Sequence, residues 1–217
     1  MPRITVLAGT NGAGKSSIAG ARLREAGGVY FNPDEETRRI LSANPGLELG
    51  EGNRLAWHES VSRLRLAIAT KTDYAFETTL GGQTVTALLM EAADAGLELF
   101  VWYCGLDSAE RHLARVQARV SKGGHDIPEE KIRQRYHGSR QNLVRLIPRV
   151  TVLRVYDNSV EADPANRLTP SPRLVLELAR GDVTFPMTPA AMAATPAWAQ
   201  PIVACAYQSR TAQPAMT

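Results

Sequence analysis

Gly9-Thr10-Asn11-Gly12-Ala13-Gly14-Lys15-Ser16 is a glycine-rich run closed by a lysine and a hydroxyl, in the spacing G-x-x-x-x-G-K-S. Glycines there let successive backbone N–H groups turn inward onto phosphate oxygens. Lys15 supplies a point charge for the β- and γ-phosphates, and the Ser16 hydroxyl is a ligand for Mg²⁺. The apolar run Ile4 to Ala8 precedes the motif, and helix-forming residues from Ser17 to Ala26 follow it. A strand feeding such a turn, with a helix N-terminus after it, is the context in which these letters act as a phosphate cradle. Residues Gly9 to Ser17 are therefore expected to bind a nucleoside triphosphate with Mg²⁺, ATP being the cofactor assigned.

Ligands of an open parallel sheet lie beyond the carboxyl ends of its strands. Two acids fall there: Asp34, after Val29-Tyr30-Phe31-Asn32-Pro33, and Glu77, which closes Tyr74-Ala75-Phe76-Glu77. A carboxylate near a γ-phosphate either accepts the proton of an attacking hydroxyl or orders metal-bound water. Asp34 is assigned as the base; the competing reading is a cap for the helical stretch Glu35 to Leu41. Glu77 ends an apolar strand, where an unpartnered carboxylate is costly. It is assigned to substrate hydroxyls or to metal-bound water. Thr78 and Thr79, before Gly81-Gly82, suit substrate contact and ordinary turn chemistry equally.

Arginines should cover such a site, because phosphoryl transfer spreads charge over equatorial oxygens. Arg111, Arg115 and Arg119 recur every four residues; Ser121-Lys122-Gly123-Gly124-His125-Asp126-Ile127-Pro128 follows, then Arg133, Arg135 and Arg140. The segment from about 119 to 135 reads as a lid hinged at its glycine pair. Arg119, Arg133 and Arg135 are its candidate catalytic cations, whereas Arg111 and Arg115 read as a solvated face. Asp126 with Glu129, and Asp107 with Glu110, have the spacing of helix caps. No further ligands support a metal site at His125 and Asp126.

The elements that position these residues follow from hydrophobic periodicity. Further strands are predicted at Val29 to Asn32, Tyr74 to Glu77, Leu97 to Cys104 and Val150 to Tyr156, with a hairpin from Arg173 to Leu178 through Arg180-Gly181-Asp182. Trp57, Val61, Leu64 and Ile68 form one helical stripe, and Ile132, Tyr136, Leu143 and Ile147 another. This alternation predicts an α/β fold with right-handed crossovers and a mostly parallel central sheet. At 217 residues the chain fits one domain, residues 1–182, and a Pro/Ala-rich tail, 183–217, expected to be loosely ordered and dispensable for stability beyond about Phe185. Within that tail Trp198 and Ile202 are candidates for one short anchor.

A net charge of +3 with interspersed carboxylates and few aromatics argues against nucleic acid as a partner. Neither a signal-peptide pattern nor a bilayer-spanning run is present, so no membrane partner and a cytoplasmic location are expected. Cys104 and Cys205 lack metal-ligand spacing, and Cys104 reads as a buried thiol.

Taken in order, the phosphate loop, Asn32-Pro33-Asp34, Phe76-Glu77-Thr78-Thr79-Leu80, and Arg119 with Gly-Gly-His-Asp-Ile-Pro and Arg133-Gln134-Arg135-Tyr136 resemble the zeta-toxin family over roughly Arg3 to Tyr156. The resemblance implies a P-loop kinase fold, a three-layer sandwich with a helical lid. It also implies ATP-dependent phosphorylation of the amino-sugar 3′-hydroxyl of UDP-N-acetylglucosamine, and an antitoxin partner. The family's base falls on Asp34, its acidic substrate-contacting residue on Glu77, and its charge-neutralising arginines on Arg119 and on Arg133 or Arg135. The chain is shorter than the best-known members and has Gly81 where those carry an arginine. Metabolic kinases of the gluconate or shikimate type, and nucleotide-dependent binding proteins with little turnover, share the phosphate loop and stand as the alternatives.

Overall fold

The computed structural model of the chain describes residues 1–124, 126–160 and 171–211. Its centre is a six-stranded sheet in the order β2-β1-β3-β4-β5-β6, with β1 Arg3–Ala8, β2 Tyr74–Thr78, β3 Glu98–Gly105, β4 Val152–Asp157, β5 Arg173–Ala179 and β6 Asp182–Phe185. The first four strands pair in parallel, and β5 and β6 add an antiparallel hairpin at one edge. The fold is therefore α/β with a mostly parallel sheet. β1 lies between β2 and β3, so the loop after it opens at the middle of the carboxyl edge.

Alternation along β1 explains the layers. Ile4, Val6 and Ala8 face the larger core, while Leu7 faces a smaller one shared with Ala19 and Tyr30. The large core takes up α3 Leu49–Thr70, α4 Gln83–Asp94 and α6 Glu129–Leu146 through Leu64, Leu89 and Leu143. The smaller core lies beneath a π-helical turn, Ser16–Gly20, that runs into α1 Ala21–Glu25. Ile132, Tyr136, Leu143 and Ile147 of the second stripe are all buried. In the first stripe Val61, Leu64 and Ile68 are buried, but Trp57 is half exposed, because Ala56 and Ser60 occupy the inward positions at that end of α3.

Two expectations are corrected. The segment Val29 to Asn32 makes a single parallel bridge, Phe31 to Phe76, with Val29 exposed. The chain leaves the sheet there because Asn32 is used as the cap of α2 Pro33–Ala43: its side chain accepts from the N–H groups of Asp34 (2.9 Å) and Glu35 (3.3 Å). That cap also removes the capping role from Asp34. The second correction concerns the tail. Residues 183–211 are not a loose appendage but complete β6 and form α7 Pro189–Ala193, a 3₁₀ turn Ala197–Ala199 and α8 Gln200–Thr211. Trp198, Ala199, Ile202, Val203 and Ala206 join the large core beside β5 and α6. Their spacing of three and four residues is helical, but the surrounding Pro, Ala and Thr dilute the pattern. Residues 212–217 of the expected tail lie outside the described residues.

Among the described residues no helix is long and apolar enough to cross a membrane. Because the C-terminal helix covers core side chains, deletion of residues 186–217 should abolish cooperative urea unfolding. Ile202→Ala alone should cost about 2–4 kcal/mol, read from the unfolding midpoint; a variant as stable as the parent would show that α8 is not part of the core.

Candidate active site

The loop after β1 meets β3 at close quarters. Gly9 has φ of 138°, and a Cβ there would stand 2.1 Å from the Cys104 carbonyl oxygen. Any other residue would push the loop off the sheet. At the far end Gly14, with φ of 87°, lies against Asn158, whose side-chain nitrogen a Cβ would approach to 2.6 Å. Lys15 is buried, its Nζ 3.5 Å from Glu77 Oε1, and Ser16 Oγ donates to Glu77 Oε2 at 2.7 Å. Glu77 is itself only 8% exposed. Its partners are thus the lysine and hydroxyl of the phosphate loop, which answers the cost of a carboxylate at a strand end.

The outer side of the loop is held by other elements. Thr10 Oγ1 donates to the Arg135 carbonyl (3.3 Å), and Arg135 Nη1 donates to Asn11 Oδ1 (2.9 Å). Arg135 is largely buried; burial lowers its pKa and the charge of Asp34 opposes that shift. The stem of Arg135 lies against Gly81, where a Cβ would come within 2.8 Å of Arg135 Cγ. Asn158 Nδ2 donates to the Ala13 carbonyl at 3.0 Å.

Asp34, on α2, extends toward the same loop. Its carboxylate stands 3.7 Å from Arg119 of α5 Ala109–Val120. More than half of the Asp34 side chain is exposed. Lys15, Ser16, Glu77, Asp34, Arg119 and Arg135 are therefore brought together. A cleft of about 590 Å³ opens beside them, lined by Gly12, Gly14, Ser17, Arg119, Lys122 and Asn158 among others.

Other candidates fall elsewhere. Arg133 is a correction: it pairs with Glu110 and Glu129 at 2.7 Å each, on the exposed side of α6, because its helical position is two residues off the inward face that carries Arg135. Arg115 is a correction in the other direction. It lines the cleft and donates through Nη2 to the Asn158 carbonyl (2.7 Å), while Arg111 pairs with Asp107. Thr78 and Thr79 accept from the N–H groups of Leu80 and Gly81, so their oxygens serve the turn. The expected caps at Asp107 and Asp126 are also displaced. Ser108 caps α5 through the Arg111 N–H, and Pro128 precedes α6. His125 lies outside the described residues.

Periodicity and motif spacing left two site residues unnoticed. His112 is buried beneath the loop with Nδ1 2.7 Å from the Asn11 carbonyl. Only its place one residue along from Arg111 on the inward face of α5 could have flagged it. Asn158 directly follows β4, so the strand-end rule that singled out Asp34 and Glu77 reaches it too.

His112 carries a consequence for stability. Burial pushes its pKa down from 6.5 to about 4, with Lys15, Arg115 and Arg140 acting the same way and the Asn11 carbonyl opposing them. The unfolded chain therefore takes up a proton that the folded chain refuses, so stability is full above about pH 6.5 and falls as pH drops through 4. The loss is on the order of 3 kcal/mol. A His112→Asn variant, which keeps a donor for Asn11, should lack this acid-side slope in urea midpoints measured across that window.

No protein-family model matches the chain. A protein of Haemophilus influenzae described as uncharacterized is 30% identical over 128 residues, which is 59% of this chain and 88% of that protein. Among solved structures, the AvrRxo1-ORF1:AvrRxo1-ORF2 complex with sulphate ions aligns with a TM-score of 0.61 at 15% identity over 85% of this chain. The same complex with ATP gives 0.60 at 17% identity. This chain spans about 60% of the length of the chain it matches in either complex. The PezAT chromosomal toxin-antitoxin system of Streptococcus pneumoniae aligns with a TM-score of 0.52 at 15% identity, over 79% of this chain and 74% of that one. At such identities the likeness is one of fold. The chain thus belongs to one family with the Haemophilus influenzae protein, and it shares its fold with the AvrRxo1-ORF1:AvrRxo1-ORF2 and PezAT structures.

Proposed function

We propose that the chain is a Mg²⁺- and ATP-dependent kinase that phosphorylates a hydroxyl of a nucleotide sugar, with the 3′-hydroxyl of UDP-N-acetylglucosamine as the acceptor. The observation that carries the reading is the convergence of a buried Lys15–Ser16–Glu77 cluster with Asp34, Arg119 and Arg135 at one loop. A protein that only bound nucleotide would need no exposed carboxylate beside its arginines. The sequence resemblance supports the choice of acceptor. The fold likeness to a complex solved with ATP supports the choice of donor.

Asp34 takes the acceptor proton as the hydroxyl oxygen attacks the γ-phosphorus of ATP, and the bond from that phosphorus to the β-phosphate oxygen breaks to release ADP. Lys15 and Arg119 neutralise negative charge on the transferring group, and Arg135 holds the loop while adding its own charge nearby. Ser16 Oγ and the Glu77 carboxylate are hard oxygen donors 2.7 Å apart, and they fit a hydrated divalent cation as direct ligand and water-ordering acid. When held by these two residues, Mg²⁺ would supply charge neutralisation for the triphosphate. By the same likeness to toxin complexes, a protein antitoxin is proposed as a partner.

The test is incubation of the purified chain with γ-labelled ATP, Mg²⁺ and a pool of nucleotide sugars. Label should pass to UDP-N-acetylglucosamine. Lys15→Ala and Asp34→Ala should each lower kcat by about 10³-fold or more, Arg135→Ala by about 10²-fold, and Arg133→Ala by less than about twofold. A pool left unlabelled by the parent chain would sink the reading, and an Asp34→Ala enzyme with near-normal turnover would remove Asp34 as the base.

A further inference from the structure

The turn that follows β4 connects the C-terminal segment to the phosphate loop. Asp157 is buried, and its Oδ1 accepts from the Ser159 N–H (3.2 Å), the Ser159 hydroxyl and Trp198 Nε1 (3.3 Å). Its Oδ2 faces Arg173 at 3.6 Å. The first of these bonds closes an Asx turn, a local fold in which an aspartate accepts from the backbone two residues on. Residue 158 is thereby presented outward. Its N–H donates to the Gly105 carbonyl (3.0 Å), its carbonyl accepts from Arg115, and its side chain reaches Ala13.

Trp198 fits this turn closely. Its indole ring fills the space over Gly105, where a Cβ would lie 2.3 Å from the ring, and it packs at a tilt on Tyr103 with centroids 6.3 Å apart. The ring is fixed by packing, so its N–H is a rigid donor. We propose that Trp198 and Asn158 are positioning residues for nucleotide binding: the C-terminal segment holds the Asp157 turn, and that turn sets the phosphate loop through the Ala13 carbonyl. A loop whose N–H groups point inward leaves carbonyls pointing outward, and each of these needs a partner. Asn158 is the partner of one, on the side of the loop that lines the cleft.

The inference rests on the reading of the cleft as a nucleotide site, and the test separates the two. Binding of ATP with Mg²⁺ is measured by titration calorimetry on the full chain, with no acceptor present, beside thermal midpoints. The parent chain should bind; failure to do so removes the nucleotide reading itself. Asn158→Ala should weaken ATP about tenfold, and Trp198→Phe, which keeps a ring and loses the donor, about three- to tenfold, well below either variant's midpoint. In a double variant the two effects should fall short of their product, because both act through one turn. In the transfer assay the losses should appear in the KM for ATP, with kcat within about twofold. Parent-like affinity in Asn158→Ala overturns the proposal even where Trp198→Phe fails to fold. So does a Trp198→Phe chain that melts lower yet binds ATP as the parent does, since that is the result of a purely structural role.

Discussion

The site depends on what holds the back of the phosphate loop. A loop that turns its N–H groups toward an anion exposes its carbonyls on the other side, and buried carbonyls left without donors cost about 1–3 kcal/mol each. Here the donors come from three separate elements: His112 of α5 to Asn11, Arg135 of α6 to the Asn11 side chain, and Asn158 after β4 to Ala13. None is close to the loop in sequence. The loop conformation is therefore a property of the assembled sheet and its helices, and the glycines only make that conformation accessible.

This arrangement changes the meaning of the arginine-bearing lid. Both helices that flank the expected lid are tied to the loop, α5 through His112 and α6 through Arg135, while Arg115 of α5 holds the Asn158 carbonyl. Asn142 fixes α6 further by donating to the Leu80 and Gly82 carbonyls beside Glu77. Arg119, near the end of α5, and Lys122, just after it, border the cleft.

The fold was legible because its signals are local and repeated. Apolar strands, helical stripes and the glycine motif each fall within a dozen residues, and strand-end position alone selected Asp34 and Glu77. What was not legible depends on side-chain direction over long separations. Arg133 and Arg135 are two residues apart on one helix and have the same chemistry; only the packing of α6 against Gly81 turns one inward. Asn32 and Asp34 are both good caps, and Pro33 between them fixes the helix start so that Asn32 is used. The tail misled for a compositional reason. Ala-rich helices show weak periodicity, although Trp198 and Ile202 bury as much surface as many residues of stronger stripes.

The two acids stand in unlike electrostatic settings, and that difference separates their roles. Glu77 is buried between Lys15 and Ser16, so removing Lys15 strands a carboxylate in a poorly solvated place, a loss of several kcal/mol. It is built to stay. The Asp34–Arg119 pair is 3.7 Å apart and its side chains are 55% and 39% exposed, a class of contact worth at most about 1 kcal/mol. A triphosphate is a stronger partner for Arg119 than one solvated carboxylate, since it presents more charge and a bidentate face. In the proposed reaction, a move of Arg119 toward phosphate oxygens gives up a weak pair and frees the Asp34 carboxylate for the incoming hydroxyl. Under the proposed function, then, a buried acid anchors the phosphate side of the cleft while an exposed one is left available on the acceptor side.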